Sequence, residues 1–372
     1  MVIDPYAVKL AEKLDGLPLA LATAGAYLDQ VATSFADYLR LYEESWLKLQ
    51  QTSPELDSYE DRAFYSTWQL SFDQIKQQNY LSTKLLQLWA YFDNQDLWFE
   101  LLQHKPSDAP GWFTQLTEDE LSFTQAVRIL CDYGLAERDK SLKENGIESR
   151  GYSMHSCVHS WTIHVLNQAW EAGMAKIALE CVGSHVPDHE KREYWVIQNR
   201  LIRHAARCWN MVVKGVVKED EIAWVLHSLA DLYSDRGHLD EAEEMYQRAL
   251  QGHEKAWEPE HTSTLPTVNN LANLYADQGK MDEAERMYER ALQGYEKALG
   301  CERVKTYTPA LNTMQNLAAL YTQLGRANKA KDMYSRALDG LEAVFGRSSK
   351  RYQDIVAALA ILHGDRGDST DA

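Results

Sequence analysis

The chain has 372 residues, 45% of them hydrophobic and 10% aromatic, enough for two or three domains with cores of their own. Its formal net charge of −17 argues against nucleic acid or an anionic membrane surface as the principal partner. The five cysteines are scattered with no CxxC pair, as in a reduced cytoplasmic protein; no run of about 18 apolar residues marks a membrane span, and the first residues lack a signal-peptide core.

In chain order, Val8, Leu10, Ala11 and Leu14 predict a first helix, stopped at Asp15-Gly16. A second opens at Pro18, whose missing N–H is harmless in a first turn. A third runs from Phe35 to Leu49 with Tyr38, Leu41, Tyr42 and Trp46 inward, and Ser53-Pro54 begins a linker to about Glu60. Stripes through Phe64, Trp68, Leu70 and Ile75, and through Leu81, Leu85, Leu86, Trp89 and Phe92, predict two more helices. A short helix is expected at Leu97–Leu102 and a longer one at Glu118–Tyr133, with Phe123, Val127, Ile129 and Leu130 inward. Gly134–Arg138 and Arg150–Met154 read as strands around a turn at Lys143–Gly146, because Asn-Gly between short runs signals a hairpin. Helices followed by a two-stranded wing make a winged helix. Its candidate recognition helix opens with Glu118, Asp119 and Glu120 and has only Arg128 as a base, which would repel phosphate.

Two stripes follow, Ile177, Leu179 and Val182 before Pro187, then Leu201, Ile202, Ala205, Ala206 and Trp209 with Arg200, Arg203 and Arg207 on the polar side. They read equally as a packing connector or a degenerate repeat. Beyond them the chain repeats itself. Leu229, Leu271, Leu317 and Leu359 recur at spacings of 42, 46 and 42, in step with Tyr233, Tyr275 and Tyr321 and with Gly237, Gly279, Gly325 and Gly367. A fixed period of this size means stacked helix pairs, each too small to bury its apolar face alone. In one copy Leu271, Leu274 and Tyr275 stripe the first helix, Gly279 ends it, and Ala284, Tyr288, Ala291 and Leu292 face inward from the second. The overall expectation is a mostly α protein, a winged-helix domain with a small β-hairpin followed by an α-solenoid. Residues 219–300 hold 18 acids and 7 bases, while 301–372 hold 8 acids and 10 bases, so the first two copies are acidic and the third slightly basic.

This Leu–Tyr–Gly–Ala–Tyr–Ala pattern resembles the tetratricopeptide repeat, and copies opened by NNLA and closed by EKALG resemble those of kinesin light chains. Upstream, Gly16–Leu21 (GLPLAL) and Met154–Trp161 (MHSCVHSW) resemble the GLPL and MHD motifs of the NB-ARC module in NLR-type STAND proteins. The second is similar to the version in fungal proteins that carry tetratricopeptide arrays. The resemblance implies an NB-ARC-like (ARC1) helical segment at 1–52 and a winged helix at 53–165. A connector or degenerate repeat at 166–218 and an array at 219–372, three full copies and a partial fourth, complete it. It also implies that Pro18 would pack on adenine and that His155 would contact the β-phosphate of ADP. Ser156 stands where the family has Asp, and no GxxxxGK[ST] occurs, so the phosphate cradle and its lysine are missing. The chain is therefore expected to start inside the module, to hydrolyse nothing, and to need no cofactor. ADP or ATP would bind only if the missing P-loop part is supplied elsewhere.

No catalytic or metal-binding residues are expected: His155, Cys157 and His159 lack a fourth ligand and the Glu of HExxH. The expected site is the groove lined by the first helix of each copy. His227, Asp231 and Asp235, then Asn269, Asn273 and Asp277, then Asn312, Gln315 and Gln323 lie at helical spacings and are all polar. Carboxamides suit an extended peptide backbone, and the acids favour a basic or neutral one. These side chains are expected to be dispensable for the core, so that Asn269→Ala/Asn273→Ala would weaken binding with little change in stability. Solvated helix faces explain the same pattern. The leading expectation is a cytoplasmic interaction and signalling fragment of an NLR-like STAND switch, binding a protein or peptide but no nucleic acid or membrane, with self-association open. A kinesin-light-chain-like cargo or complex adaptor is the alternative; a winged-helix transcription regulator is a third.

Overall fold

The computed structural model describes residues 4–52, 59–104, 106, 108–139, 143–144, 147–148, 151–188 and 194–364. The protein is mostly helical and divides into two compact units, Met1–Val217 and Lys218–Ala372. Among the described residues no helix is long and apolar enough to cross a membrane.

In the first unit α1 (Pro5–Lys13) starts at Asp4, whose carboxylate accepts the Tyr6 N–H at 2.9 Å. Leu10 and Leu14 are buried, but Val8 is 46% exposed, so the inward stripe is narrower than expected. Asp15 and Gly16 take positive φ and end the helix. Pro18 is the first residue of α2 (Pro18–Val31), and α3 (Phe35–Thr52) buries Tyr38 and Tyr42. The expected linker over 53–58 and the side chains of Trp46 and Phe64 lie outside the described residues. Between α4 (Tyr59–Gln78) and α5 (Tyr80–Trp89), Asn79 leaves the helix and caps the next, accepting the Ser82 N–H at 2.9 Å.

The expected helix at Leu97–Leu102 is only a 3₁₀ turn over Glu100–Leu102. Leu97 is extended instead: its N–H donates to the Tyr152 carbonyl at 2.8 Å, and its carbonyl accepts the Tyr152 N–H at 2.7 Å. A short α6 (Gly111–Leu116) precedes α7 (Glu120–Asp132), which Asp119 caps through the Ser122 N–H at 2.7 Å. Strand β1 (Glu137–Arg138) pairs antiparallel with β4 (Tyr152–Ser153), and β2 (Lys143–Glu144) with β3 (Ile147–Glu148). Lys143 and Glu144 are thus strand rather than turn; Asn145-Gly146 and Arg150 lie outside the described residues. The chain continues through α8 (Ser156–Trp161), one π turn (Thr162–Leu166), α9 (Ala172–Ser184) and α10 (Tyr194–Val213).

The inward face of α10 is Gln198, Leu201, His204, Ala205, Cys208, Met211 and Val212, while Ile202, Ala206 and Trp209 are only half-buried. Two arginines expected on its polar side are structural. Arg200 binds Asp96 through two hydrogen bonds, 2.7 and 2.6 Å, and lies 3.9 Å over the Trp98 ring; Arg207 donates to the Ala90 carbonyl at 3.1 Å.

The second unit is a series of helix pairs: α11 (Ala223–Asp235) and α12 (Leu239–Ala256), α13 (Leu265–Asp277) and α14 (Met281–Arg303), α15 (Thr308–Gln323) and α16 (Ala327–Phe345), then α17 (Lys350–Gly364). Gly237, Gly279 and Gly325 turn each pair at φ 78°, 77° and 68°. Gly367 lies outside the described residues. Ala242, Ala249, Ala284, Ala291, Ala330 and Ala337 are all fully buried, so small side chains set the close approach within each pair.

Candidate functional site

The first helices α11, α13 and α15 carry the polar side chains expected to line a groove. The structure ties most of them to the next copy. His227 Nδ1 lies 3.0 Å from the Thr267 hydroxyl, and one repeat later the Thr313 hydroxyl donates to Asn269 Oδ1 at 3.0 Å. Asn270 donates to Asp231 at 3.0 Å, and one repeat later Asn316 donates to Asn273 at 2.9 Å. The same two acceptors are reached from the second helix of their own copy: the Tyr246 hydroxyl donates to Asp231, and the Tyr288 hydroxyl to Asn273 at 2.6 Å. Each interface between the first three copies therefore carries two equivalent rungs, and the second rung also binds the pair together.

The expectation that these groups are dispensable for the core does not hold. Asn269 is only 8% exposed, and Asp231 and Asn273 are half-buried acceptors for two donors each. Burying a carboxamide with its partners satisfied is tolerable; removing it leaves donors without acceptors. Of the other candidates, Asn312 accepts from Arg351 of α17 and Gln315 is half-buried, while Asp235, Asp277 and Gln323 are exposed. Partial burial raises the Asp277 pKa. The groups that sequence reasoning missed are the partners Thr267, Thr313, Asn270, Asn316, Tyr246 and Tyr288. Ion pairs between second helices repeat in the same way: Arg290 with Glu254, then Arg336 with Glu296 at 2.6 Å. They fix register more than they stabilise, being partly exposed.

In the first unit Met154 is buried and its backbone is clasped by Asn94, N–H to carbonyl at 2.8 Å and side-chain amide to the Met154 carbonyl at 2.8 Å. This places His155 as the exposed N-cap of α8, its Nδ1 accepting the Cys157 N–H at 3.3 Å. His159 points elsewhere: its Nε2 meets the Phe92 carbonyl at 3.0 Å, and burial, reinforced by Arg207, lowers its pKa to about 4. Among the described residues no cluster fit for a metal ion occurs. Pro18 is exposed. Neither Pro18 nor His155 lines the cavity of about 660 Å³ bounded by Ser45, Gln69, Asp73, Gln77, Leu166 and Gln168 among others.

Residues 221–297 and 263–343 match the tetratricopeptide repeat family model, so the helix pairs are tetratricopeptide repeats, whose stacked copies form extended interaction surfaces. A nucleotide-binding leucine-rich repeat (NLR)-like protein of Hyaloscypha variabilis is 25% identical over 279 residues, which is 72% of this chain and 26% of that protein. The chain thus spans about a quarter of that relative's length. Among solved structures, a Podosopora anserina putative kinesin light chain with nearly identical TPR-like repeats is 18% identical, with a TM-score of 0.41, over 52% of this chain and 86% of its own. A Signal Transduction ATPase with Numerous Domains (STAND) protein with a tetratricopeptide repeat sensor, from Pyrococcus horikoshii, is 16% identical with a TM-score of 0.27, over 92% of this chain and 62% of its own.

Proposed function

We propose that the chain is the interaction and signalling part of an NLR-like STAND switch, its repeats holding a protein or an extended peptide. One observation carries this reading: the match to the NLR-like protein covers more residues than 218–372 can supply, so it includes part of the first unit as well as repeats. The order of elements in that unit agrees. Leu97 pairs with β4 and β4 with β1, while α6 and α7 lie between, which supports reading residues 53–165 as a winged helix. Its helix α7 starts from Asp119 and Glu120, and Arg128 pairs with Asp132 at 3.7 Å, so DNA recognition has no support there.

Nucleotide enters this reading only through a part supplied elsewhere. Pro18 and His155 stand exposed at the first turn of α2 and at the N-cap of α8, and the sequence offers no glycine-rich cradle with its lysine. The residues present do not fit a nucleotide by themselves.

For the repeats, Asp235, Asp277 and Gln323 are the exposed candidates, and exposed acids on this face favour a basic peptide. Panning a random peptide library on the full chain should enrich basic extended peptides. Their affinity should fall about tenfold in Asp235→Lys/Asp277→Lys at unchanged circular dichroism, a change of about 1.4 kcal/mol. Failure to enrich any peptide, or affinity indifferent to both substitutions, overturns the assignment.

A further inference from the structure

The cavity of the first unit is built by α2, α3, α4 and the π turn. Its apolar part is Tyr27 of α2 with Leu70 and Phe72 of α4, all buried, and Leu166 of the turn. Tyr27 meets Tyr38 of α3 edge-on, the ring centres 5.2 Å apart. The polar part comes mainly from α4, where Gln69, Asp73 and Gln77 stand at i, i+4 and i+8, one stripe of the helix; Glu44 of α3 joins them. A volume of about 660 Å³ that combines an apolar floor with a few polar groups is that of a small-molecule site.

A solvated helix face would show the same polar stripe. Ser45 of α3 separates the two cases. It is 5% exposed, it lines the cavity, and its hydroxyl is buried without a hydrogen-bond partner. Among the described residues, the other buried hydroxyls without a partner, on Tyr38, Ser66, Ser71 and Tyr295, are not part of the lining. A buried hydroxyl left unsatisfied is unfavourable, and a ligand atom that reaches it from the cavity removes the penalty.

The charge of the lining selects the ligand. Glu44 and Asp73 are carboxylates, and the described lining residues include no Lys, Arg or His. Both acids are exposed, which puts them at the rim. Each already accepts a nitrogen donor: the Arg40 guanidinium donates to Glu44 at 2.9 Å, and the Gln69 amide to Asp73 at 2.9 Å. Arg40 offsets the charge of Glu44, so Asp73 sets the field. That field reaches the floor, since burial, then Tyr133 and Asp73, raise the Tyr27 pKa. We infer that the cavity binds a small aliphatic cation with several N–H donors, a polyamine or an alkylguanidine. Its methylenes rest on Tyr27, Leu70 and Phe72. Its N–H groups reach Asp73 and the carboxamide oxygens of the stripe, and one of them donates to Ser45 Oγ. This site belongs to the first unit and is independent of what the repeats hold.

The test is titration calorimetry on the full chain with spermidine and with agmatine, in about 0.15 M salt, where diffuse attraction to an acidic chain is screened. At least one probe should bind saturably. Asp73→Asn keeps an acceptor for Gln69 and should weaken binding about tenfold at unchanged circular dichroism. Ser45→Ala should weaken it about threefold and leave the melting temperature equal or higher, because the hydroxyl it removes has no partner. Glu241→Gln, at an exposed acid of α12, should change nothing. Binding of spermidine alone assigns the site to spaced ammonium groups and of agmatine alone to a guanidinium; either result supports it. Absence of saturable binding by both probes overturns the inference. So does affinity indifferent to Asp73→Asn and Ser45→Ala, or affinity that falls as much in Glu241→Gln, which would mean attraction to the net charge of −17 only. Displacement of a bound probe by butanediol, which has the methylenes without the charge, would make the cavity a site for neutral polyols and also overturn it.

Discussion

Replacing Asn273 by Ala removes one acceptor and strands two donors. The Tyr288 hydroxyl, 2.6 Å away, belongs to a side chain 3% exposed, so it recovers little of its loss from solvent. The Asn316 amide, 2.9 Å away, is half-buried and recovers part of its loss from solvent. An unsatisfied buried donor costs about 1–3 kcal/mol, so the sum expected for Asn273→Ala is roughly 2–4 kcal/mol. Asn273→Asp keeps the acceptor, and the first copy already uses that solution: Asp231 takes the tyrosine hydroxyl and the asparagine amide at the same place. It should therefore cost less than about 1 kcal/mol. Adding Tyr288→Phe to Asn273→Ala should recover about 1 kcal/mol, since the stranded hydroxyl is gone. Urea unfolding followed by far-UV circular dichroism measures all three. Asn273→Ala within about 0.5 kcal/mol of wild type, or Asn273→Asp as damaging as Asn273→Ala, would refute the reasoning, because both ranges follow from the same two donors.

The first unit should weaken in acid. His159 is neutral in the fold with a pKa of about 4, held down by burial, and binds a proton near pH 6.5 once unfolded, so stability is whole above pH 6.5 and falls by up to about 3 kcal/mol as the pH drops toward 4. The buried His204, whose Nδ1 accepts the Asp93 N–H at 3.1 Å, adds in the same direction. Near-UV melts across that range should show the slope and His159→Gln, which keeps a donor for the Phe92 carbonyl, should flatten it; equal slopes would contradict the assignment. Gly340→Ala should destabilise by about 2 kcal/mol or more, since its Cβ would fall 2.1 Å from the Lys305 carbonyl, whereas Gly25→Ala in α2, with open space around it, should stabilise by about 0.5–1 kcal/mol. Thermal melts of the two variants moving the same way would contradict both packing statements.

Long stripes were legible because their period is set by the helix itself. Leu85, Leu86, Trp89, Phe123, Val127 and Leu130 are all buried as their spacing implies. The six residues of α6 are too few to display a period, and Leu97 is extended because Tyr152, far along the chain, pairs with its backbone. Such pairing leaves no local mark. At the candidate site the polar stripe was visible, but a stripe facing water and a stripe facing the next copy look alike along one helix. What separates them is a recurring partner: Thr267 and Thr313, like Asn270 and Asn316, stand 46 residues apart, opposite His227, Asn269, Asp231 and Asn273. Tyr288 faces inward as its spacing implies, but spacing does not show that its hydroxyl, like that of Tyr246, ties the two helices of a copy together.

The rungs are not continued to the end of the array, and this grades its cooperativity. At the third interface the positions matching Asn273 and Asn316 are Ala319 and Ala358, and Thr313 is matched by Ile355, so no rung of either kind can form. In their place Arg351 reaches Asn312. In a linear array, stability is the sum of each copy's own terms and its couplings to neighbours, so a weak coupling divides the array into regions that open separately. Amide hydrogens of α11 through α15 should exchange together, in one slow event, while α17 exchanges by a local opening of lower free energy. The repeats up to α15 would then move as one stiff body, from which α17 can loosen without disturbing them.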